Sequence, residues 1–282
     1  MSDYYCDFLG AQSSLVRAAG HTELPERAID LKVVLLACCS TAVAISRLGK
    51  QDDLLNECVM LARALLERAV NFCYLLVCDN DEWKRYWQYT KQKSFRKLNR
   101  SFEAAGRKVT MEYSGLPDPS IDPVLKEAID AFTGPKGGEK TRWSTTSLSD
   151  RIGIIAEKEG VEPAVFLMNE MWVFEDASEA LHGTFYGCSF HTGIYEPSNE
   201  RSDPEDLRRW QFSHLSMLTW GLGQMLHTVI LLLDKRKPLG YITATSQANF
   251  DASHTMMRYA LSPTKDDSVK EAKADAVSRR RA

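Results

Sequence analysis

The chain has 282 residues, 44% of them hydrophobic and 26% charged, an ordinary globular composition with enough apolar content for a sizeable core. A formal net charge of -3 argues against a general polyanion binder, though a local basic surface stays open. The cysteine count is odd, with no C-x-x-C pair, and Met1-Ser2-Asp3-Tyr4-Tyr5 lacks the regions of a secretory signal, which together predict a reducing, cytoplasmic setting.

Helical periodicity dominates and strand-like alternation is scarce, so the expected fold is all-α: a multi-helix bundle of about seven or eight helices in a single main domain. That domain is expected over 25–262, after an N-terminal segment (1–24) and before a disordered charged tail (263–282). The first helix is predicted over 25–49, apolar nearly all round through Val33, Val34, Leu36, Ala37, Val43 and Ala44 and hence deeply buried. A second is predicted over 52–78, and a third over 82–105, capped near Asn80-Asp81 and ended by Gly106. Between 111 and 144, turn chemistry surrounds one short helix over 123–132. Ser147 and Asp150 mark the start of a fifth helix, and a sixth spans 163–184. A long seventh covers 204–234, and a short one 246–261. Leu215 to Leu233 is a run of 19 largely apolar residues, close to a membrane span. Gln224 and His227 near its middle favour a buried core helix instead, and no membrane association.

Glycine-rich phosphate loops, H-E-x-x-H, zinc spacing and G-x-S-x-G are all missing, so no metal or cofactor is indicated. Three weaker features remain. The third helix carries a basic ribbon, with Arg85, Lys93, Arg96 and Arg100 opposite an apolar stripe of Trp83, Trp87, Leu98 and Phe102. Over about 36 Å such a ribbon could track a phosphate backbone; the plainer reading is a solvated face. The second helix aligns Arg63, Glu67, Asn71 and Tyr74 along one side, either as a surface ion pair or as a partly buried polar site. In the sixth, Leu167, Met171, Phe174, Leu181 and Phe185 form an inward stripe that includes Ser178, with His182 at its edge. That imidazole reads either as a satisfied core histidine or as a general acid/base.

Arg63 and Glu67 on an early helix, Trp143 with Ser147 and Arg151, and then Ser178-x3-His182-Gly183 resemble a widespread, mostly bacterial helical family catalogued only as a domain of unknown function. The resemblance covers roughly 30 to 190, with Phe174 where members usually carry an aromatic four before the serine. It implies that Arg63, Glu67, Arg151, Ser178 and His182 converge, and it brings no activity with it. A looser similarity is to HEPN proteins, helical bundles that include RNA-cutting toxins, whose Arg-to-His spacing is matched by Arg209 and His214.

The leading expectation is a helical nucleic-acid- or nucleotide-acting protein of the defence or toxin type, such as an RNA phosphodiester-cleaving factor. His182 would transfer protons, Arg63 and Arg151 would hold a phosphate, and Glu67 would orient one of them. RNA or a nucleotide is the candidate ligand and a homodimer the candidate assembly. The alternative is a non-catalytic interaction or regulatory module, in which the same residues form a structural network.

Overall fold

A computed structural model describes residues 2–51, 54–168, 171–189 and 203–261; the expected tail over 263–282 lies outside them. Among the described residues the fold is mostly helical, with twelve helices, more than the seven or eight expected, and one two-stranded hairpin. The described residues group into two compact units, those within positions 1–69 and 165–282 and those within positions 70–164.

The first unit contains α1 (Ser2–Gly20), α2 (Glu26–Asp30), α3 (Lys32–Leu48) and the start of α4 (Leu55–Val77). Its later elements are the end of α8 (Val161–Met168), α9 (Trp172–Leu181), α10 (Phe185–Ser189), α11 (Pro204–Asp234) and α12 (Tyr241–Leu261). Asp203 caps α11 by accepting from the Glu205 amide, and Pro204 fits the first turn, where its missing N–H costs nothing. From Gly221 to Ile230 every residue of α11 is buried, so the apolar run does serve as a core helix. It is long and apolar enough to cross a membrane, but 83% of that window is buried within the protein. The segment 1–24 joins this core. It supplies α1, whose Tyr5, Leu9 and Val16 are fully buried and which packs on α3, α11 and α12. Where α1 meets α11, a Cβ at Gly223 would stand 2.3 Å from the Phe8 ring, so only glycine fits there. The deep burial expected for the first helix is also corrected. The buried side of α3 is Leu35, Cys38, Cys39, Ala42 and Ile45, while Val33 is 78% exposed.

The second unit holds the end of α4, then α5 (Asn80–Leu98), β1 (Asn99–Ala104), β2 (Arg107–Glu112), α6 (Pro123–Ala131), α7 (Leu148–Glu159) and the first residues of α8. Asp79 caps α5, Asp122 caps α6, and Ser147 with Asp150 forms a capping box at α7. The helix expected over 82–105 stops at Leu98. Ala105 and Gly106 take φ of 50° and 68°, the two left-handed positions of a tight hairpin turn, and fold the next residues back on themselves. Gly106, expected to end the helix, is instead the second residue of this turn, and the residues before it pair as a strand.

Candidate functional site

Within the first unit a cleft of about 770 Å³ opens between α3, α4 and the end of α9. Leu48, Met60, Leu61, Ala64 and Leu181 give it an apolar floor, and Glu57, Arg63, Glu67 and His182 supply the polar groups. One turn of α4 separates Arg63 from Glu67, so their side chains meet at 3.1 Å, Nε donating to Oε1. Across α9, the Phe174 ring lies 4.1 Å from the guanidinium carbon. A carboxylate at one edge and a ring on one face fix the plane of the group. Its two Nη groups take no partner among the described residues.

His182 follows the last residue of α9, where Gly183 (φ 63°) ends the helix, and its amide donates to the Ser178 carbonyl at 3.1 Å. Its ring is exposed at the cleft, not at the edge of an inward stripe. The sixth helix predicted over 163–184 is broken into α8 and α9, which rotates the burial pattern. Val173, Ala177 and Ala180 are buried, Phe174 is half-buried, and Leu181 is 56% exposed. Ser178 is half-buried and is not among the residues lining the cleft. Of the five candidate catalytic residues, then, Arg63, Glu67 and His182 share one cavity.

Arg151 has different company, in the second unit. Its Nη1 donates to Asn71 Oδ1, and its guanidinium lies 4.3 Å over the Trp143 ring and 5.8 Å from Tyr74. Trp143 is fixed in turn by an edge contact to Tyr86 at 5.3 Å and by its carbonyl, which accepts from Arg85 Nε at 2.8 Å. Burial, with the Glu82 charge adding to it, pushes the Tyr74 phenol up to about 12. The polar side of the second helix therefore divides: Arg63 and Glu67 face the cleft, and Asn71 and Tyr74 surround Arg151.

The basic ribbon is engaged inside the second unit as well. Beyond its bond to Trp143, Arg85 stacks over Phe132 at 4.9 Å. Lys93 pairs with Glu139 at 2.7 Å, and Arg96 donates to Thr133 Oγ1 at 2.7 Å. Only Arg100 leaves the helix, lying on β1 over Phe102 at 4.9 Å. The side of α5 expected to face outward receives the 129–143 segment, while Trp87 and Leu98 on the expected docking stripe are 38% and 40% exposed.

Arg209 and His214 do not form a common site. The arginine is exposed and pairs with Asp206 at 3.0 Å and Glu205 at 3.8 Å, while His214 Nδ1 lies 2.9 Å from the Trp210 carbonyl one turn back. Among the described residues no group of three His, Cys, Asp or Glu side chains is placed to hold a metal.

One polar cluster escaped the sequence reading. Ser246 donates to Gln12 Oε1 at 2.7 Å, and Gln12 Nε2 donates to the Ser246 carbonyl at 3.0 Å. The hydroxyl must therefore accept from His227 Nδ1, 2.7 Å away, which assigns the Nδ1–H tautomer. His227 stacks on Phe250 at 4.7 Å, and burial pushes its imidazole down to about 4. Gln224 and His254 approach to 3.1 Å beside it. Gln224 and His227 were visible as polar interruptions of an apolar run, but Gln12 lies 234 positions from Ser246 and no local pattern pairs them.

No curated protein and no solved structure matches the chain. The family described as a family of unknown function, DUF5677, matches residues 32–199, which include the candidate residues of both units. With well over half its length inside that match, the chain belongs to the DUF5677 family of unknown function.

Proposed function

We propose that the protein acts on a nucleotide or nucleic acid through the cleft of the first unit, in a defence or toxin role. The observation that carries this reading is the meeting of Arg63, Glu67 and His182 in one open cavity with an apolar floor. The floor accommodates a base, and the guanidinium, held flat by Glu67 and Phe174, offers its free edge to a phosphate. In phosphodiester cleavage His182 takes the proton of the attacking 2′-hydroxyl and returns it to the leaving 5′-oxygen as the P–O5′ bond breaks and a 2′,3′-cyclic phosphate forms, while Arg63 offsets the charge on the phosphoryl oxygens. Arg151 has no part in this reading, and Glu67 acts by positioning Arg63.

The test is RNA cleavage and growth inhibition measured beside thermal melting for the wild type, His182→Ala and Arg63→Ala. The expected outcome is a loss of about 10²–10⁴ in rate for His182→Ala with little change in melting temperature. A wild type that neither cleaves RNA nor binds nucleoside phosphates calorimetrically discards the reading, as does a fully active His182→Ala.

A second reading has its own observation. Arg63, clamped between Glu67 on α4 and Phe174 on α9, ties two helices together, as a structural network in a non-catalytic module would. It predicts that Arg63→Ala unfolds more readily while His182→Ala changes nothing.

A further inference from the structure

The hairpin of the second unit ends in an open strand edge. All six residues of β2 are exposed, and β1 is its only neighbour among the described residues. The Ala105-Gly106 turn is closed by the pair Ala104–Arg107. In a two-residue hairpin that closing pair exchanges both main-chain hydrogen bonds, and bonded and unbonded pairs alternate from there. Phe102–Val109 and Arg100–Met111 are then bonded pairs. The N–H and C=O groups of Lys108, Thr110 and Glu112 point the other way, along the open edge. The side chains alternate too. Phe102, Val109 and Met111, which are 55%, 65% and 49% exposed, share one face, and Lys108, Thr110 and Glu112 share the other.

We propose that this edge pairs with the β2 edge of a second copy of the chain, antiparallel, about a two-fold axis at Thr110. The register follows from chemistry. Only Lys108, Thr110 and Glu112 can bond across, and setting Lys108 opposite Lys108, or Glu112 opposite Glu112, places like charges together. Thr110 opposite Thr110 brings Lys108 against Glu112 of the second copy twice over. On the other face the same register sets Val109 against Met111 twice, joining two exposed apolar faces into one. Head-to-tail pairing of β2 with β1 offers one such ion pair, Lys108 with Glu103, and leaves one β2 edge unpaired and able to add further copies. The two-fold arrangement satisfies more charge, and the β2 edges close on each other.

Sedimentation velocity on the full chain from about 1 to about 500 µM tests this, with Lys108→Glu, Glu112→Lys, the double swap and Thr110→Pro. The wild type is expected to show a concentration-dependent dimer. Each single reversal turns two attractive pairs into two repulsive ones and weakens the dimer by about tenfold or more. The double swap restores it, and Thr110→Pro, which removes an outward N–H, abolishes it with circular dichroism unchanged. A wild type that stays monomeric throughout overturns the proposal, as does a dimer indifferent to the single reversals or a double swap no better than either. A monomer that binds single-stranded RNA and loses that binding on Phe102→Ala overturns it in favour of a nucleic-acid face.

Discussion

Arg63 and Arg151 carry the same guanidinium into opposite surroundings, one in each unit. Arg63 sits at a cleft, its side chain 21% exposed, with a carboxylate at Nε and a ring on one face. Arg151 is buried among Trp143, Tyr74 and Asn71, with a neutral amide as its acceptor. The first stands at an open cleft; the second is committed to the fold, because a buried guanidinium separated from its acceptor leaves polar groups unsatisfied. Two histidines repeat the contrast. His182 is exposed at the cleft, whereas His227 is 2% exposed and bonded into the Gln12–Ser246 cluster. Accessibility, more than residue type, separates groups available for chemistry from groups that hold the structure.

The largest expected effect falls on the buried arginine. Arg151→Ala removes stacking on Trp143 and strands Asn71, so a loss of about 3 kcal/mol is expected in denaturant unfolding. A loss below about 1 kcal/mol would break the contrast from the Arg151 side.

Acid comes next. His227 is held neutral in the folded protein, with its pKa lowered from 6.5 to about 4. The unfolded chain takes up the proton first, so its contribution to stability is complete above pH 6.5 and shrinks as pH falls through the window down to about 4. Over that window the expected loss is about 3 kcal/mol, and His227→Gln should flatten the pH dependence of melting. An unchanged dependence in that variant would show that the cluster is open to protons.

Arg63→Ala should cost about 1 kcal/mol, since it breaks a partly exposed ion pair and a ring contact. A cost equal to that of Arg151→Ala would erase the distinction between the two arginines and favour the network reading of the cleft. Smallest of all, His182→Ala should change stability by less than about 0.5 kcal/mol, because the ring is exposed. If activity then falls while stability holds, the contrast between exposed and buried histidines is sharpened into a functional one.

The Arg-x3-Glu step, the Ser-x3-His-Gly step and the caps at Ser147 and Pro204 are all local, and each was legible because a helix places residues three and four apart on one side. Arg63, Glu67, Ser178 and His182 could be named from such patterns and Arg151 from the family resemblance, but the five could not be sorted. Their division between Arg63, Glu67 and His182 at a cleft and Arg151 elsewhere depends on which residues arrive around each one, Phe174 at Arg63 and Trp143 at Arg151, and no periodicity marks that. The basic ribbon was misread for a related reason. Helical spacing places Arg85, Lys93 and Arg96 on one side, but only the position of Glu139, Thr133 and Trp143 decides whether that side meets solvent or protein.

By itself, then, the sequence determined a mostly helical chain, the start of most helices and the identity of α11 as a core helix. These follow from composition, from capping and from spacings within a few residues, which any helix translates into shape. Tertiary structure alone decided that α1 belongs to the core, that Asn99 to Glu112 form a hairpin, and that Gln12 meets Ser246 and His227. Those outcomes rest on contacts between residues far apart in the chain. Burial of an apolar side or satisfaction of a polar group then depends on which partner arrives, and that choice is made by packing over the whole core.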